Sequence, residues 1–156
     1  MKQVYLLALL LFLAACGAPE NENNAAAVAS TGELTVTNVR ANLSLPTDTG
    51  SVWLDIHNGT NSDDALRGAE IDGCGTVEFH SMAMQGDVMI MGQVEGGQIP
   101  VPAGATVRLE QGGLHMMCFN KAAPLEPGSS VAIALYFTNA GTVNVVGEVV
   151  APGETN

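Results

Sequence analysis

The sequence predicts one all-β domain, a sandwich or barrel of short strands, and three observations carry that prediction. The composition is rich in turn residues, with 18 Gly and 7 Pro against 4% aromatics, while 47% apolar residues suffice for a core. Short runs of alternating apolar and polar residues recur at close spacing, bounded by Gly, Pro, Asn or Asp. Beyond the N-terminal leader no stretch carries a long helical period, and no internal repeat is present. At 156 residues the chain supports a single domain once a leader is removed.

The elements follow in order. Lys2 precedes an apolar run over residues 4–13, closed by Ala14-Ala15-Cys16. The run is too short for a stable membrane span and reads as a secretory signal peptide over residues 1–15. Leu13-Ala14-Ala15-Cys16 resembles the bacterial lipobox, in which cleavage before the cysteine is followed by lipidation of Cys16. Gly17 is not the aspartate associated with inner-membrane retention, so an outer-membrane anchor facing the periplasm is the expectation. Residues 16–32 are small and polar without a hydrophobic period, which is the signature of a flexible tether. The folded domain is expected over residues 33–150.

Residues 33–41 (ELTVTNVRA) and 51–57 (SVWLDIH) alternate, the second with Val52, Leu54 and Ile56 on one face. Residues 58–64 (NGTNSDD) are a strong turn. Strands are read at 65–71 and 76–84, the latter leading into a hairpin. Residues 99–105 (IPVPAGA) read as a proline-broken connection. A short strand at 106–109 turns through Gln111-Gly112-Gly113 into residues 114–119. Residues 130–138 and 141–149 form a closing hairpin around Asn139-Ala140. His57, at a strand end, reads as exposed or capping. Trp53 is out of phase with Val52 and Leu54; it covers either the other sheet face or a site, and the sequence leaves both open.

The chemistry concentrates between Phe79 and Met117. Six of the seven methionines and two of the three histidines lie there. Methionine ordinarily serves as scattered core filler; clustered with imidazole it points to a soft metal ion. Residues 80–91 (HSMAMQGDVMIM) read as a hairpin around Gln85-Gly86. That register sets His80 opposite Met91, Met82 opposite Met89 and Met84 opposite Asp87. His80, Met82, Met84, Met89 and Met91 then share a face. His115 and Met117 share a face of a later strand, with Met116 and Cys118 turned the other way. A site of His80, Met91, His115 and Met117 offers two nitrogens and two thioethers. That neutral, soft set favours Cu(I) over zinc or hard cations. Met82, Met84 and Met89 are read either as accessory donors that shield the ion or lead it in, or as packing along the hairpin.

With Cys16 lipidated, Cys74 and Cys118 remain. An even number in an oxidising compartment suggests a disulfide. The alternative, Cys118 as a thiolate ligand, is opposed by its facing away from His115 and Met117 in a regular strand.

The pattern His80, ten residues, Met91, then His115-any-Met117 resembles the signature of the periplasmic copper chaperone PCu(A)C family. The neighbouring text agrees: Ser51-Val52-Trp53-Leu54, Asn58, Asp63-Asp64-Ala65-Leu66, Val77-Glu78-Phe79-His80, Val94-Glu95-Gly96, and Ile99-Pro100 followed by Pro102-Ala103-Gly104. The resemblance spans most of residues 33–149. It implies a cupredoxin-like Greek-key β-sandwich in which His80, Met91, His115 and Met117 bind Cu(I). It also implies a copper-accepting partner, such as the CuA-bearing subunit of cytochrome c oxidase or another copper chaperone. The gap of 23 residues between Met91 and His115 is slightly longer than the family pattern, and lengthening a surface loop costs little.

Other function classes fit less well. A net charge of −11 argues against nucleic acid. No nucleophile–base pattern is present and the carboxylates are scattered on turns, so an enzyme is not expected. A blue-copper electron carrier needs a cysteine thiolate beside two histidines and a weak axial Met, and Cys118 falls on the wrong face. A copper storage or tolerance protein would use the same ligands as a chaperone.

Overall fold

The computed structural model describes residues 29–31 and 33–154; the signal peptide, Cys16 and most of the tether lie outside the described residues. Eleven strands follow one another: β1 (Ala29–Thr31), β2 (Leu34–Asn42), β3 (Gly50–Asn58), β4 (Asp64–Ile71), β5 (Thr76–Gln85), β6 (Val88–Gln93), β7 (Ile99–Val101), β8 (Thr106–Leu109), β9 (His115–Phe119), β10 (Ser130–Phe137) and β11 (Thr142–Val149). A 3-10 turn, Glu95–Gly97, is the one helical element among the described residues.

Period-two alternation builds these strands. In β11 every second residue from Val143 to Val149 is buried and those between are exposed. The strands run in the order β6-β5-β9-β3-β2-β11-β10-β4-β7, with β1 added to β2 and β8 to β3. Two strands are shared along their length. Gly50, Ser51 and Val52 of β3 pair with β9, whereas Leu54 to His57 pair with β8. The start of β2 pairs with β1 and its end runs parallel to β11. Strands that change partners in this way let a continuous sheet fold into two packed layers. Between the layers lie Leu34, Val36, Leu54, Ile56, Leu66 and Leu135, all essentially inaccessible. Each such side chain contributes about 1.5–3 kcal/mol by burial. Asn38 takes a positive φ of 54° at a bulge in β2, and its Nδ2 donates to Asp55 Oδ2 at 2.8 Å.

Two short strands stand where the sequence suggests none. β1 occupies residues read as tether, pairing back onto β2. β7 occupies the proline-broken connection: Ile99 and Val101 are buried, Pro100 between them is exposed, and the strand adds to the edge of β4. An edge strand tolerates proline because its outward side needs no N–H donor.

The predicted 58–64 turn is held by its own polar groups. Buried Asn58 donates from Nδ2 to the Ser62 and Val101 carbonyls, each at 2.9 Å, and its Oδ1 accepts from Thr60 N and Oγ1. Asp64 accepts from the backbone N–H groups of Ala65, Asn139 and Ala140 at 2.7, 2.9 and 2.9 Å, tying β4 to the β10–β11 turn. Burial pushes the Asp64 carboxyl up, but these donors together outweigh it and hold the group below its ordinary range.

Candidate metal centre

The hairpin that carries most of the methionines differs in register from the sequence reading. β5 and β6 pair Gln85 with Val88, so Gly86-Asp87, not Gln85-Gly86, fills the two-residue turn. Gly86 has a φ of 63°. A primed hairpin turn needs that positive value at its first central residue, where glutamine would be strained. Met84 therefore faces Met89, Met82 faces Met91, and His80 faces Gln93. His80 and Met91 are diagonal neighbours, not a direct pair. The slip is an even number of residues, so His80, Met82, Met84, Met89 and Met91 still share one face.

On the other edge of β5, His80 pairs directly with His115, and Glu78 with Met117. The two imidazole centroids lie 6.1 Å apart. His80 is thus the hub. His115 is opposite it, with Met91 diagonal on one side and Met117 diagonal on the other, a separation of about 7–8 Å that long side chains can bridge. The cluster grades outward: His115 is buried, His80 and Met117 are partly buried, and Met91 is 48% exposed. Met82 continues the face, and Met84 and Met89 form its exposed outer rung. Met116 and Cys118 point into the core, fully buried, and Cys118 is joined to Cys74 with Cα atoms 5.6 Å apart.

Hydrogen bonding fixes which ring nitrogen each histidine presents. His115 Nδ1 lies 3.0 Å from the Gly113 carbonyl, which can only accept, so Nδ1 carries the hydrogen and Nε2 keeps its lone pair. His80 Nε2 lies 3.0 Å from Glu78 Oε2, so a neutral ring donates there and leaves its lone pair on Nδ1. His80 Nδ1 is buried and has no hydrogen-bond partner among the described residues. Leaving a buried polar atom unpaired costs about 1–3 kcal/mol. Each ring therefore has one nitrogen anchored by the protein and one free, the arrangement that orients metal-ligating imidazoles. Phe119 packs beside the site, its ring centroid 5.8 Å from that of His80.

Glu78 and Phe119 are absent from the sequence-derived donor set, though both were within its reach. Glu78 stands two residues before His80, and Phe119 two after Met117, so strand alternation alone puts them on the ligand face. Among the described residues no three His, Cys, Asp or Glu side chains gather into a metal-sized group. On the face that carries the two imidazoles, the diagonal neighbours of His80 include the thioethers of Met91 and Met117, donors that suit a soft monovalent ion.

The remaining candidates fall elsewhere. His57 is exposed, its Nδ1 3.0 Å from Thr106 Oγ1. Trp53 is 4% exposed yet outside the core cluster. Alternation sets it on the β3 face that bears Ser51, the partner of Met117. A shallow groove across β4, β10 and β11, lined by Glu70, Asp72, Ala132 and Val146 among others, carries neither imidazole nor thioether.

Comparison with known proteins sets this geometry in context. Residues 34–149 match a family described as "Putative lipoprotein LpqE-like". The chain is 27% identical over 88 residues to a Leifsonia xyli subsp. xyli protein whose description is likewise "Putative lipoprotein". That match covers 56% of this chain and 52% of the relative, so the chain spans about half the relative's length. Among solved structures it is similar to the copper-bound PCuAC domain from PmoF2, with a TM-score of 0.67, 21% identity and coverage of 80% of this chain and 98% of that one. It is also similar to the Cu(I) form of DR1885 from Deinococcus radiodurans in solution, with a TM-score of 0.58, 25% identity and coverage of 76% and 80%. The fold is the cupredoxin-like β-sandwich of PCuAC domains.

Proposed function

Because the chain belongs to the LpqE-like family, whose PCuAC-type sandwich it has, we propose that it is a Cu(I)-binding metallochaperone. In this reading His80 Nδ1, His115 Nε2 and the sulfurs of Met91 and Met117 hold the ion as cargo. The observation that carries the reading is the buried, unpartnered His80 Nδ1 beside a second imidazole whose free nitrogen is also fixed. Coordination would satisfy that nitrogen. All four donors are neutral, so an incoming ligand can displace each without separating charge, which favours exchange over permanent storage. Cys118 is committed to a disulfide with Cys74, which leaves no thiolate for a blue-copper centre among the described residues. The role assigned is capture and handover, without catalysis.

The folded unit of residues 33–150 would work from a lipid anchor on Cys16 through the 16–32 tether, on the periplasmic side and at the outer membrane. The family's lipoprotein description supports the anchor. The acceptor would be a copper-accepting protein, with the CuA subunit of cytochrome c oxidase the first candidate.

The test is competition with a Cu(I) chelator under reducing conditions. The wild-type protein should take up Cu(I) tightly and without colour, and His80→Ala with His115→Ala should lose the equivalent bound at the imidazoles while the domain stays folded. Unchanged uptake refutes the site. Transfer of the loaded metal to a purified oxidase subunit separates delivery from storage.

A further inference from the structure

The β5–β6 hairpin projects beyond the core, and every residue of β6 is exposed. Its two faces differ in chemistry. One carries Met82, Met84, Met89 and Met91 as two directly opposed pairs. The other carries Ala83, Val88 and Ile90 and no sulfur. Met84 is 61% exposed and Met89 55% exposed, where core-filling methionine would be buried. A surface that is merely greasy gives no reason for four thioethers to sort to one face while aliphatics take the other. The face continues without a break into the His80–His115 pair.

We propose that Met82, Met84 and Met89 form a second, all-thioether Cu(I) site at the hairpin tip, separate from the imidazole-centred one. Met84 and Met89 are opposed directly, and Met82 is diagonal to Met89, spacings of about 4.5–5.5 Å and 7–8 Å that flexible side chains can close on one ion. Three soft, neutral donors suit Cu(I) and discriminate against zinc and hard cations. The outer rung lies four residues along β5 from His80, about 13 Å, and the two sites are assigned different methionines. The rung of Met82 with Met91 joins them, Met82 belonging to the outer site and Met91 to the inner. An ion caught on the exposed rung can therefore move inward by exchanging one neutral sulfur at a time. Asp87 in the turn adds a negative charge beside the entry point. The inference rests on the copper reading above only for the identity of the metal.

The experiment uses the full chain with 13C-labelled methionine methyl groups, titrated anaerobically with Cu(I). The first equivalent should shift the Met91 and Met117 methyl signals and the second those of Met82, Met84 and Met89. Met84→Leu with Met89→Leu, which keeps the hairpin apolar, should lose the second equivalent and keep the first. His80→Ala with His115→Ala should lose the first and keep the hairpin signals responsive. Saturation of the wild type at one equivalent with the hairpin methyls unmoved overturns the second site and leaves the stripe as a docking or packing surface. So does an undiminished second equivalent in the leucine variant. Failure of the first equivalent alone counts against the imidazole site and not this one.

Discussion

Replacing Glu78 tests how the centre is oriented. The Glu78 carboxylate accepts from His80 Nε2 at 3.0 Å, with the two side chains 36% and 12% exposed. In Glu78→Ala nothing holds the hydrogen on Nε2, and the ring is free to move it to Nδ1, the nitrogen that would ligate. Loss of such an outer partner typically weakens metal binding 10–100-fold, about 1.4–2.7 kcal/mol. Because the carboxylate is one-third exposed, solvent replaces part of what it supplies, and the lower end of that range is expected. Glu78→Gln keeps an acceptor but loses the charge and should fall between Ala and wild type. The assay is chelator competition for Cu(I), with the 15N signals of the His80 ring in the metal-free protein reporting the tautomer. A Glu78→Ala protein with unaltered affinity and His80 still protonated on Nε2 would refute the reasoning.

Four further outcomes are expected. Reducing the Cys74–Cys118 disulfide, which closes 44 residues of chain, should lower stability by about 4 kcal/mol, read as a fall in the denaturant midpoint. Asp64→Ala leaves three backbone donors without an acceptor and should cost about 1–3 kcal/mol. The lowered Asp64 value means that its contribution is complete above the ordinary carboxylate value of 3.8 and is lost as pH falls through the lowered one, so Asp64→Asn should flatten the acid limb of the stability profile; an unchanged limb would contradict this. His57→Ala should leave Cu(I) affinity unaltered, since its ring engages Thr106 and not the cluster.

Much of this was legible in the residues because alternation survives small errors. A turn at Gln85-Gly86 misplaces the hairpin register by two residues yet keeps His80 and the four methionines on one face, since only an odd slip exchanges faces. The decisive detail was where the single glycine must stand, a demand of backbone sterics that apolar patterning does not encode. β7 was hidden by Pro100, which reads as a breaker until an edge is known to be available. β1 is too short to show a period. Trp53 lies on the face of β3 opposite Val52 and Leu54, and which layer covers that face is set by folding and not by alternation. The joining of Cys74 to Cys118 depends on a separation that only folding sets. The pairing of His80 with His115 is likewise a contact between strands, invisible to spacing along either one.

The two sides of β9 have a consequence for the order of maturation. One side of this five-residue strand ends in a covalent link to Cys74, and the other presents His115 and Met117. Before that link forms, Cys74 and Cys118 are free thiols, which are stronger ligands for Cu(I) than any thioether. Metal arriving early would settle on them and block their oxidation. Oxidation should therefore precede metallation, and a reduced, unfolded chain refolded with Cu(I) present should yield fewer disulfide-closed molecules than one oxidised first.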